Sequence, residues 1–158
     1  MHPNAKLLQN LFTSLNNKDY DSMGECYDES ATFRDIAFDL KGRHQIRSMW
    51  HMICQGDICC TFEVFAADDS EGVVRLVDEY TFTDTGRRVR NPIESRFRFT
   101  DGRIVSQTDA CDARTWAAMA LGGVPGYIAG RLRFVRGWKA RRKLTKFIRE
   151  QERPTVLT

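Results

Sequence analysis

Near residue 58 the apolar residues of this chain change period, and that change limits the folds open to it more than any other feature. Before it, residues 4–16 set Leu7, Leu8, Leu11, Phe12 and Leu15 at i, i+1, i+4, i+5 and i+8. This spacing predicts an amphipathic helix with Asn4 as its N-cap and Asn16-Asn17 as its end. A short second helix is predicted from about Asp19 to Cys26, with Tyr20, Met23 and Tyr27 to one side, then a turn at Asp28-Glu29 and a strand from Ala31 to Asp35. Gly42 precedes a third helix, Arg43 to Cys54, in which Ile46, Met49, Trp50 and Ile53 recur at helical spacing. From Ile58 the period is two: Cys60, Phe62, Val64; Val74, Leu76, Tyr80, Phe82; Phe97, Phe99; then Ile104 onward. Turn signals at Asp68-Asp69, Asp84-Thr85-Gly86 and Thr100-Asp101-Gly102 separate these runs and predict four antiparallel strands. Helices followed by such a meander specify an α+β fold: a curved antiparallel sheet with three N-terminal helices packed on one face, and a C-terminal helical extension.

The 158 residues suffice for one core without a disulfide or metal staple. Five cysteines, Cys26, Cys54, Cys59, Cys60 and Cys111, lack paired CxxC spacing and are expected to be free thiols, with Cys59 and Cys60 on opposite faces of a strand. No secretory signal is read at the N-terminus, so a cytoplasmic location is expected. Residues 115–130 carry no charge, but Gly122, Gly123, Pro125, Gly126 and Gly130 interrupt a stretch already short of the ~20 apolar residues of a spanning helix.

Charge divides the chain. Residues 1–112 hold 13 basic and 19 acidic side chains, a net of −6, while residues 113–158 hold 11 and 2, a net of +9. A domain is therefore expected over residues 1–121 and a basic helical extension over 122–158. In the extension Leu132, Val135, Trp138, Leu144, Phe147 and Ile148 interleave with the bases of a helix from Tyr127 to about Gln151. Packing of its apolar side on the acidic body is expected; an anionic membrane surface is the competing partner, and nucleic acid is not expected.

The order helix, helix, strand, helix, four strands resembles the nuclear transport factor 2-like cone fold, which includes ketosteroid isomerases, limonene epoxide hydrolases and SnoaL-type polyketide cyclases. SLNNKDYDSMGECYDESATFRD (residues 14–35) is similar to that family's opening, GRHQIRSMW (42–50) to its third helix, and RFRFTDGRIVSQTDACD (96–112) to its last hairpin. The resemblance implies a small-molecule pocket between the concave sheet face and the helices, and a homodimer through the convex face, where Arg96 and Arg98 would lie. It places Asp35 where ketosteroid isomerases keep an aspartate base, and Asp109 in the region where cyclase-like members keep an acid/base aspartate. The isomerase's oxyanion-hole tyrosine falls at Leu11 and its acidic partner at Ser95, so that particular steroid site is incomplete.

Strand parity selects the rest of the candidate site. Asp78 shares a face with Val74, Leu76, Tyr80 and Phe82; Ser95 with Phe97 and Phe99; Gln107, Asp109 and Cys111 alternate with Val105. Asp35 and Asp109 are the candidate catalytic pair, because two carboxyls in one apolar pocket push their proton affinities apart and can supply both an acid and a base. Tyr27, Trp50, Asp78, Tyr80, Ser95, Gln107 and Cys111 are the candidate ligand-binding residues. His44 and His51 stand two helical turns apart, too far to share a metal ion, and no cofactor or metal is expected. Two functions remain open from sequence: a cofactor-free isomerase, cyclase or hydrolase acting on an apolar small molecule, and a non-catalytic ligand-binding or dimerisation module.

Overall fold

In the first helix, α1 (Pro3–Asn16), the predicted stripe is buried at Leu8, Leu11, Phe12 and Leu15. Its cap differs from expectation: His2 Nδ1 accepts from the Asn4 N–H at 3.1 Å. The Asn4 side chain instead donates to the Asp68 carbonyl at 2.9 Å, tying the helix to a distant turn. A computed structural model supplies this geometry and describes residues 1–122 and 126–153; the side chains of 126–136 and of 138 lie outside the description. Helix α2 (Tyr20–Glu25) is capped by Asp19, whose carboxylate accepts from the Ser22 N–H at 3.1 Å. Helix α3 (Arg43–Cys54) starts after Gly42, whose φ of 95° lies in the region open to glycine.

The strands are β1 (Tyr27–Arg34), β2 (Asp39–Lys41), β3 (Cys59–Ala67), β4 (Glu71–Phe82), β5 (Arg87–Thr100) and β6 (Arg103–Ala110). They form one sheet in the order β2-β1-β6-β5-β4-β3. The four-strand meander is antiparallel as predicted, but β1 joins it parallel to β6, so the sheet is mixed. Such a pairing links segments far apart in the chain, Phe33 with Gln107 for example, and nothing local in either one announces it. Strand β2 has no counterpart in the sequence pattern, and β1 stops at Arg34, with Asp35 in the turn beyond it.

Val74, Leu76, Phe97 and Phe99 point from the sheet into a core shared with α1, Phe33 and Met49. At Gly72 the packing is tight: a Cβ there would stand 2.9 Å from Leu8 Cδ1 and 3.0 Å from the Phe99 ring. Helix α4 (Ala113–Leu121) lays Trp116, Ala117 and Ala120 on Val89, near Tyr80 and Phe82. Helix α5 (Gly126–Glu152) buries Leu144 in the main core and packs Ile148 against it. Phe147 meets the His51 ring edge-on at 4.8 Å, and His51 stacks on Tyr20 at 3.8 Å. Lys143 pairs with Asp84, Glu152 with His44 and Lys146 with Glu150, and the side chains of Lys139, Arg142, Lys146 and Arg149 are exposed on the outer side of the helix. The predicted contacts of Leu132, Val135 and Trp138 lie outside the described residues. Among the described residues no helix is long and apolar enough to cross a membrane.

Candidate active site on the inner sheet face

Register sets the site. Across β4, β5 and β6 the inner row Val74, Ser95, Asp109 is in line, and further along β4 Asp78 stands opposite Asn91 and Tyr80 opposite Val89. Parity on β6 holds for Gln107 and Asp109, but a bulge at residue 105 puts Ile104, not Val105, on the inner face beside Phe99.

Four of the sequence candidates converge on Asp109. Ser95, fully buried, donates its hydroxyl to Asp109 Oδ1 at 2.5 Å. Gln107, 1% exposed, donates its amide to the same oxygen at 3.0 Å. The Gln107 carbonyl accepts from the Tyr27 hydroxyl at 2.5 Å, and that hydroxyl accepts from the Trp50 indole N–H at 3.0 Å. Tyr27 and Trp50, expected as pocket walls, are thus polar links as well. Asp109 keeps accessible surface, yet the protein around it pushes its carboxyl up to about 7 by desolvation. The two donors oppose this rise, and the charges of Asp35 and Asp78 add to it.

Asp78 is the second perturbed carboxyl, pushed up to about 6 by burial, with the Cys60 thiol and Lys18 easing its charge. Its Oδ1 is sealed from solvent and has no hydrogen-bond partner among the described residues. A buried acceptor left this way costs roughly 1–3 kcal/mol and invites a donor. Tyr80 accepts from the Trp116 indole N–H at 2.6 Å; burial raises its phenol to about 12, so it stays protonated. Cys111, half-buried, follows β6. Cys60 is buried and Cys59 exposed, as the strand alternation required.

Asp35 is engaged differently. Its Oδ1 accepts from the Ala37 N–H at 2.7 Å and the Phe38 N–H at 2.6 Å, closing the turn between β1 and β2. It nevertheless lies near enough to raise the carboxyl of Asp109 and the phenol of Tyr80. Two polar positions escaped the sequence reading: Asn91, 6% exposed beside Asp78, and Trp116 on Tyr80. The parity that found Ser95 applies to Asn91 as well, whereas Trp116 comes from a helix whose docking no local pattern encodes. Among the described residues no three His, Cys, Asp or Glu side chains are grouped to hold a metal ion.

An open conical sheet with helices on one face and carboxyls on that face defines a nuclear transport factor 2-like α+β protein. The chain belongs to the SnoaL-like domain family, whose model matches residues 8–107. Among curated proteins none is significantly similar in sequence. Among solved structures, an LEH-like epoxide hydrolase from M. tuberculosis superposes with a TM-score of 0.62 at 17% identity, covering 81% of this chain and 96% of its own. A putative polyketide cyclase from Silicibacter sp. gives 0.66 at 18%, covering 73% and 93%. The Δ5-3-ketosteroid isomerase from Mycobacterium sp. gives 0.60 at 17%, covering 71% and 95%. At these identities the likeness is one of fold.

Proposed function

We propose that this protein is a cofactor-free acid/base enzyme for an apolar small molecule, a hydrolase, cyclase or isomerase, in which Asp109 exchanges the proton and Asp78 is its partner. The observation that carries this reading is the Asp109 carboxyl itself: two donors fix it on the inner sheet face, and desolvation there, against those donors, raises its proton affinity to near neutrality. Two carboxyls raised to about 7 and about 6 retain protons near neutral pH that ordinary aspartates have lost, so the pair can give a proton to one substrate atom and take one from another. Asp35, whose Oδ1 serves two backbone amides, is the lesser candidate. One structural neighbour is an epoxide hydrolase and another an epoxide hydrolase/cyclase-like enzyme of pyran ring formation, which makes epoxides and ring-closing precursors the first substrates to try.

The test is turnover of such a panel by the wild type, Asp109→Asn and Asp35→Asn. Asp109→Asn should lose about 10²–10⁴-fold in rate, and Asp35→Asn much less. An Asp109→Asn variant as active as the wild type overturns the assignment. Binding of these compounds without any turnover would make the protein a ligand-binding module. We further propose a homodimer through the outer sheet face, where Thr61, Val77, Pro92 and Ala110, with Glu63 and Glu94, help line a shallow depression of about 770 Å³ on the side opposite Asp78 and Asp109. A light-scattering mass equal to one chain at micromolar concentration would exclude it.

A further inference from the structure

The Asp109 network contains one donor whose sense chemistry leaves no freedom to reverse. The Trp50 indole can only donate, so the Tyr27 oxygen must accept from it. The Tyr27 proton then goes to the nearest other acceptor, Gln107 Oε1 at 2.5 Å. With its carbonyl so occupied, the Gln107 amide has only its NH₂ to present to Asp109. The reverse flip would set a carbonyl against a carboxylate and leave the Tyr27 hydroxyl without an acceptor, with both Tyr27 and Gln107 at most 1% exposed. Each link polarises the next in the same direction. The links come from α3, β1 and β6, so tertiary packing fixes the amide orientation. Both described hydrogen bonds to Asp109, from Gln107 and Ser95, land on Oδ1, and Oδ2 receives none among the described residues.

We propose that Trp50, Tyr27 and Gln107 are positioning residues forming a one-way relay that locks the Gln107 amide on Oδ1 of Asp109 and so makes Oδ2 the atom that exchanges a proton with a bound molecule. The proposal rests on Asp109 being the acid/base residue and specifies how that residue is set. The titratable groups that bear on Asp109 are Asp35 beyond β1, Asp78 on β4, Cys60 on β3 and Tyr27 on β1. Burial drives the Cys60 thiol and the Tyr27 phenol well above their ordinary values, so neither titrates with it. From α3 the contribution is the neutral Trp50.

The experiment reads the Asp109 side-chain carboxyl carbon by ¹³C NMR across pH, in full-length protein without substrate. Gln107→Leu removes a donor from the charged form and should raise the proton affinity of Asp109 by about tenfold. Tyr27→Phe leaves Gln107 in place but frees its amide to turn, and should raise that affinity by about threefold. A folded Tyr27→Phe protein with an unmoved Asp109 midpoint overturns the relay. If Tyr27→Phe does not fold, Trp50→Phe takes its place with the same expected direction, and an unmoved midpoint again overturns it. Because this midpoint is read without turnover, failure of the relay is distinct from failure of the enzymatic assignment, which the activity of Asp109→Asn decides.

Discussion

On the outer face of β5, Glu94 sits half-buried between the exposed Arg96 at 2.6 Å and Arg75 at 3.9 Å. One residue further along the same strand, Ser95 faces inward, buried completely, with its hydroxyl committed to a single carboxylate oxygen. The ladder on the outer face continues with Arg90–Glu79 and Arg88–Asp57, exposed pairs, each worth about 0–1 kcal/mol. The inner face uses fewer polar groups, but desolvation makes each interaction consequential: a missing donor costs more, and a carboxyl's proton affinity moves far from its ordinary value. Charge density alone would have pointed to the outer face, whereas the carboxyls with raised proton affinity lie on the inner one.

Deleting apolar bulk from the inner face should give the largest effect on stability. Phe97, 2% exposed and edge-on to Phe12 at 6.3 Å, holds the sheet to α1. Phe97→Ala is expected to cost about 3–5 kcal/mol in urea unfolding.

The next effect depends on pH. Below about pH 4, Asp109 is protonated in both the folded and the unfolded chain and has no influence on the pH dependence of stability. As pH rises, the unfolded chain releases this proton at its ordinary value while the folded protein holds it up to about 7. Stability contributed by the neutral carboxyl therefore drains away between about pH 4 and 7, by a few kcal/mol at most, and the loss is constant above that. Asp109→Asn should accordingly be more stable relative to the wild type at about pH 8 than at about pH 4, as measured by paired denaturant titrations. Exposed capping carboxylates such as Asp68, held below their ordinary value by the Glu71 and Ser70 N–H groups, work in the opposite sense, which is why the comparison must be between variant and wild type at each pH.

The smallest effect is expected outside. Glu94→Gln should change stability by under about 1 kcal/mol and lose even that in high salt. A larger change, persisting in salt, would mean that the outer ladder is shielded by a second copy of the chain, and would sharpen the case for a dimer there.

Much of the candidate site could be read in advance because strand parity is local. Alternation put Ser95, Gln107, Asp109, Tyr80 and Asp78 on one face, and the structure keeps them there. Helical spacing likewise located α3 to the residue, since Ile46, Met49 and Trp50 must share a buried side. What failed to show was anything set by a partner far along the chain. Tyr27 could be read only as an aromatic wall, because its acceptor is 80 positions away on a strand that pairs parallel to its own. Asp35 carried the stronger resemblance, yet two turn amides claim its Oδ1.

The sequence by itself determined the elements, the face each strand residue occupies and the acid/base residue types available, because periodicity and turn chemistry act over a few residues. Only the tertiary structure decided which carboxyl receives the buried donors and which keeps to a turn, because hydrogen bonding and desolvation depend on what α3, β1 and β6 bring together in space.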